Sequence, residues 1–288
     1  MEQEYTKEQF FQDFKVNGKE FSLMVYNKMK KFNIIDETYF QDTKRRLEQG
    51  KINLAKKHVY TKETDEEDEN NLKLALSLIA QAPTLEGLIS ECNNFLIKKA
   101  ITIGNEEYLE LILLNKYLVF DTVDIHYFFE VCAVRGFLAC TRLLLQDRRI
   151  GSDLNAQSYG LYVAAITKND VIANAIIDHG KLQKLENINK FYVILYCYCL
   201  HANEKMAHKL IDTYNLDLSF NGFFAILLAV YNKHYDFSFS LFFRDDAMLK
   251  LKEIIDKIDE KTKTNKDKDQ NQNQDQDQDP KTTQRAEA

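Results

Sequence analysis

Five stretches of this chain share one pattern at nearly constant spacing. "AITIGNEEYLELIL" begins at Ala100, "CAVRGFLACTRLLL" at Cys132, "AAITKNDVIANAII" at Ala164, "YCLHANEKMAHKLI" at Tyr198 and "AVYNKHYDFSFSLF" at Ala229. The steps between them are 32, 32, 34 and 31 residues. Each copy reads as the end of an apolar helix, a polar or Gly-containing turn, and a second helix with adjacent apolar residues near its end. Two short antiparallel helices cannot bury their apolar faces alone. Copies stacked every ~33 residues make one continuous core. A small residue is expected where the first helix packs closely on its neighbour. Gly104 and Gly136 suit the tight connection, where positive φ costs glycine nothing. Gly180 stands where a helix C-cap would put one.

Composition agrees with a helical chain. Nine Gly and two Pro in 288 residues are too few for a β-sandwich or barrel, which needs turn residues every ~8–12 positions. The formal net charge is −6, and no long basic stripe is present, so phosphate-neutralising contact with nucleic acid is not expected. The runs "FYVILYCYCL" (191–200) and "GFFAILLAV" (222–230) are about half the ~20 residues that span a bilayer. They read as buried helices, and no membrane insertion is expected. The acidic start "MEQEYTKEQFF" has no apolar segment of the signal-peptide kind. Cys92, Cys132, Cys140, Cys197 and Cys199 lie in apolar helical patterns without a CxxC, as reduced core thiols do. A cytoplasmic location is expected, with nuclear residence or delivery into a host cell left open.

The first copy resembles the ankyrin-repeat helical core, Ala-Ala-x-x-Gly-His-x-Glu-Ile-Val-x-Leu-Leu-Leu. Ala100, Gly104, Asn105, Glu107, Tyr108, Leu109, Leu111, Ile112 and Leu113 fall in register with it. So do Ala133, Gly136 and Leu143–Leu145 in the second copy, Ala164, Ala165, Ile176, Ile177 and Gly180 in the third, and His234, Asp236 and Phe237 in the fifth. The Thr-Pro-Leu-His opening of the family is absent from every copy. Tetratricopeptide repeats have a similar period, ~34 residues, but want an aromatic pattern these copies lack. The resemblance covers roughly residues 90–245 and implies an ankyrin-like α-solenoid of about five helical-hairpin repeats; with the flanking segments, the expected fold is all-α, with an N-terminal helical region and a disordered C-terminal tail.

The remaining segments follow. Residues 1–60 are an N-terminal helical region with stripes at Phe10, Phe11 and Phe14 and at Phe21, Met24, Val25, Met29 and Phe32. Asp36 is placed to cap a helix carrying Tyr39, Phe40 and Leu47, closed by Gly50. These stripes need a surface: each other, the first repeats, or another protein. Residues 61–70 are an acidic linker, and 71–245 the repeat domain with its N-terminal cap at 71–91. Residues 246–261 form a capping helix, and 262–288 a polar tail too poor in apolar residues to order itself.

No GxSxG, GxGxxG, Walker A or HExxH motif occurs, and no cofactor or small-molecule substrate is expected. Cys197 and His201 share a helix face, but Cys199 points away, and a packed helix with buried thiols is the simpler reading of "CYCLH". The expected function is a non-enzymatic protein–protein interaction scaffold with another protein as partner. The resemblance implies that the partner meets the concave face built by the first helices. Counting from each aligned residue, that face carries His126, Arg135, Tyr192, His201, Phe223 and Tyr231 as candidate anchors, being aromatic or cationic. The alternative is a host-directed effector enzyme with its active centre in residues 1–85 and the repeats as targeting arm.

Overall fold

The computed structural model describes residues 18–32, 35–58, 86–114, 120–184, 188–244 and 247–258, with isolated positions 70, 73 and 260. The stripe at Phe10–Phe14, the acidic run 61–69, most of the expected N-terminal cap and the polar tail lie outside these residues. Among the described residues every regular element is a helix.

Five hairpins follow one another: α3 (Glu86–Ile103) with α4 (Glu106–Leu113), α5 (Thr122–Arg135) with α6 (Leu138–Gln146), α7 (Leu154–Thr167) with α8 (Asp170–Asp178), α9 (Asn189–His201) with α10 (Glu204–Tyr214), and α11 (Phe220–Tyr231) with α12 (Tyr235–Phe242). One backbone device makes every turn. The residue four past each aligned position is left-handed: Gly104, Gly136, Lys168, Ala202 and Lys233 have φ of 72, 79, 62, 54 and 66°. The next residue's N–H then donates back to the carbonyl of the aligned residue. Those distances are 2.9 Å to Ala100, 3.1 Å to Cys132, 2.8 Å to Ala164, 3.0 Å to Tyr198 and 2.9 Å to Ala229. This is the six-to-one bond of a Schellman turn, which satisfies a carbonyl the ending helix would orphan. The register therefore holds through the fourth and fifth copies, where sequence similarity between copies is weakest.

Side chains at the same turns tie copies together. Asn169 Oδ1 accepts from the Ile172 N–H as an N-cap, while its Nδ2 donates to the Ala133 carbonyl of the preceding copy at 3.0 Å. Asn203 caps at Met206 and donates to Asp170 Oδ1 at 2.7 Å. His234 Nε2 meets the Leu200 carbonyl at 3.1 Å. The first helices α3, α5, α7, α9 and α11 pack against one another in chain order, and α4, α6, α8 and α10 do the same in a second layer. All five aligned residues are buried, Tyr198 among them. Gly160 lets α7 pack tightly on α5, since a Cβ there would stand 2.8 Å from Phe129 Cβ.

Among the described residues, two helices precede the hairpins, α1 (Gly18–Lys31) and α2 (Glu37–Lys57). α1 docks on the last hairpin: the Phe21 ring meets Phe242 edge-on at 5.5 Å, and Ser238 Oγ donates to Ser22 Oγ at 2.9 Å. Helix α13, residues 247–258, adds Leu251 and Ile255 to the core. In α2, Asp36 caps as its position suggests, accepting from the Thr38 N–H at 2.9 Å. Gly50, however, does not close the helix, which runs on to Lys57. The glycine answers a different need. A Cβ there would lie 3.2 Å from both Ile166 Cδ1 and Tyr162 Oη on α7, so Gly50 is where α2 passes close to a neighbour.

Candidate interaction surface

α2 has 21 residues, about 31 Å of helix. That length spans several helices stacked at ~8–10 Å, and α2 crosses the first helices in reverse chain order. Near its start, Phe40 stacks on Phe224 (4.7 Å, 10°) and Tyr231 (5.7 Å, 19°) of α11. Midway, Gly50 meets α7. At its end, Lys57 and His58 reach Glu130 of α5. Its buried residues are Phe40, Leu47 and Leu54, one stripe seven residues apart. Each such burial is worth about 1.5–3 kcal/mol before ordering costs. The rest of the helix is mostly polar.

Glu130 closes this crossing. It sits in "YFFEVCAV", an apolar stretch of α5, with its side chain 5% exposed. An ionised carboxylate there must be fully partnered. His58 Nε2 donates to Oε1 at 2.6 Å, Lys57 Nζ reaches the same oxygen at 2.6 Å, and the Tyr159 hydroxyl donates to Oε2 at 2.7 Å. Burial works against the charge, but these three hydrogen bonds outweigh it and hold the carboxyl down at about 2. Burial and the same carboxylate push the Tyr159 phenol up.

Beside α2 the face stays open. A cleft of about 300 Å³ runs across the N-terminal halves of α5, α7 and α9. The His126 ring lies flat on Tyr159 (5.4 Å, 15°) as one wall. Tyr162 and Val193, the latter 42% exposed, add apolar surface. Lys190 Nζ donates to Asn155 Oδ1 at 2.7 Å at the rim. A second cleft of about 250 Å³ lies between α2 and the same Tyr159 and Tyr162.

The six candidate anchors do not form one exposed face. His126 lines the open cleft. Arg135, half-buried at the end of α5, lies with its guanidinium 5.6 Å from the Phe137 ring. His201 is half-buried, and burial with Lys168, Lys51 and His234 nearby pushes its imidazole down to about 4. Tyr231 lies against Phe40. Tyr192 and Phe223 belong to the core, at 5% and 0% exposure, which corrects their expected place on the face. The Tyr192 hydroxyl donates to the Asp217 carbonyl and accepts its N–H at 3.1 and 3.0 Å, so the loop before α11 closes over it. Phe223 follows from the start of α11, where Asn221 and Phe223 have φ of 53 and 64°. An offset counted along a regular helix fails there.

The four described cysteines are free and buried. Burial raises the Cys140 thiol to about 11 and the Cys197 thiol to about 12, which leaves them protonated and poorly nucleophilic. Among the described residues no three His, Cys, Asp or Glu side chains gather as a metal site, and no helix is long and apolar enough to cross a membrane. No protein-family model, no curated protein and no solved structure matches this chain.

Proposed function

We propose that the chain is a non-enzymatic protein–protein interaction scaffold, an ankyrin-like solenoid whose partner docks on the concave side made by the first helices. The observation that carries this reading is the open cleft across α5, α7 and α9. Three consecutive copies contribute to it, its floor is aromatic and aliphatic, and polar groups stand at its rim, as in protein interfaces with a dry centre and a polar edge. The buried free thiols support residence in a reducing compartment such as the cytoplasm.

The test is differential capture from an extract of the source cells. Val193→Glu together with His126→Ala changes the cleft without touching the core, because Val193 is exposed and His126 half-buried. A partner retained by the wild type and lost by this variant, with the thermal midpoint unchanged, is the expected result. Equal capture by both removes the cleft as the docking site.

A further inference from the structure

We propose that α2 is a displaceable, intramolecular occupant of a helix-binding groove, and that the groove accepts a partner's amphipathic helix in its place. This goes beyond the cleft beside it, which stays open while α2 is docked. The occupant's chemistry is read from α2 itself. The groove takes an aromatic residue at position i, as Phe40 stacks on Phe224 and Tyr231. It takes leucines at i+7 and i+14, as Leu47 and Leu54, and a residue without Cβ bulk at i+10, as Gly50 against Ile166. It takes a base at i+17, as Lys57 on Glu130.

Three observations favour exchange over a permanent core element. Only one stripe of α2 is buried, and even its large apolar residues off that stripe, Tyr39 at 52% and Ile52 at 47%, stay exposed. The floor is rich in tyrosine: Tyr127, Tyr159, Tyr162 and Tyr231 remain half-buried beneath the helix. Tyrosine tolerates both water and an apolar cover, which is why it is common on surfaces that alternate between the two. The last anchor of α2 is ionic, on Glu130, and the first helices pack on each other without it.

The test uses the full chain and a fluorescent synthetic peptide with the sequence of residues 36–58. Phe40→Ala with Leu47→Ala weakens the resident helix. The peptide should bind this variant at least tenfold more tightly than the wild type, and a peptide carrying Gly50→Leu should lose that binding. In the wild type, α2 amides should exchange hydrogen at least tenfold faster than those of α5 and α7, through local opening. Absence of binding to a variant that still melts cooperatively overturns the proposal. So does a variant that loses its cooperative melt, because a displaceable helix leaves a folded remainder, and so does α2 exchange matching that of α7. Failure of the cleft variant to change partner capture bears on the cleft alone, since the peptide reads the groove directly.

Discussion

Gly50 on α2 faces Ile166 on α7 across a gap with no room for a relaxed Cβ: the added carbon would stand 3.2 Å from Ile166 Cδ1. Sequence positions more than a hundred residues apart therefore fix how deeply α2 sits on the first helices. Gly50→Leu should overpack this contact at about 1–3 kcal/mol. Calorimetry should show a lower midpoint, or an earlier separate transition for α2. An unchanged melt would mean that α2 does not approach α7 this closely.

Glu130 gives a second prediction through pH. Its carboxyl ordinarily titrates at 4.5 and is held at about 2 in the fold. A depressed acid contributes stability that is complete above its unfolded value and is lost as pH falls through the folded one. Glu130→Gln should cost on the order of 2 kcal/mol at pH 7, the scale of a charged hydrogen-bonded group. The gap between wild type and variant should narrow below about pH 4.5 and close toward pH 2. Denaturant titrations at several pH values measure it. A gap constant down to pH 3 would contradict the hydrogen-bonded carboxylate.

The turn register predicts a gain. Ala202 is exposed and holds φ of 54°, a conformation that costs a residue with a Cβ about 1–2 kcal/mol. Glycine at the equivalent positions 104 and 136 avoids this cost. Ala202→Gly should stabilise the chain by about 0.5 kcal/mol after the added flexibility of unfolded glycine is counted. Gly104→Ala should do the reverse and more, because its new Cβ would stand 2.6 Å from the Phe137 ring. Chemical denaturation of both variants checks the pair, and equal signs would break the register.

The turns were legible because a helix must satisfy its last carbonyls the same way in every copy. Spacing locates Lys168, Ala202 and Lys233 even though none is glycine. The position of α2 was not legible. Phe40 and Leu47 announce an apolar stripe, but a stripe does not name the surface it meets. Gly50 after that stripe reads as a C-cap, since close approach and chain reversal both select glycine. Glu130 does carry a signal in the sequence: it is the lone acid in "HYFFEVCAV" (126–134), directly after Tyr127, Phe128 and Phe129. A buried charge demands partners from elsewhere, and they are Lys57, His58 and Tyr159. Phe223 leaves the expected face because a helical offset assumes a regular start, which α11 lacks, and Tyr192 leaves it because the loop before α11 closes over its hydroxyl.

The docking claim is tested most directly by site-specific photo-crosslinking in an extract of the source cells. A benzophenone side chain at position 193 lies in the cleft, and one at position 171, where Val171 is 57% exposed on α8, lies on the second layer. The account predicts a discrete crosslinked partner from position 193 and none from 171. Crosslinks from 171 alone, or the same products from both positions, would contradict it.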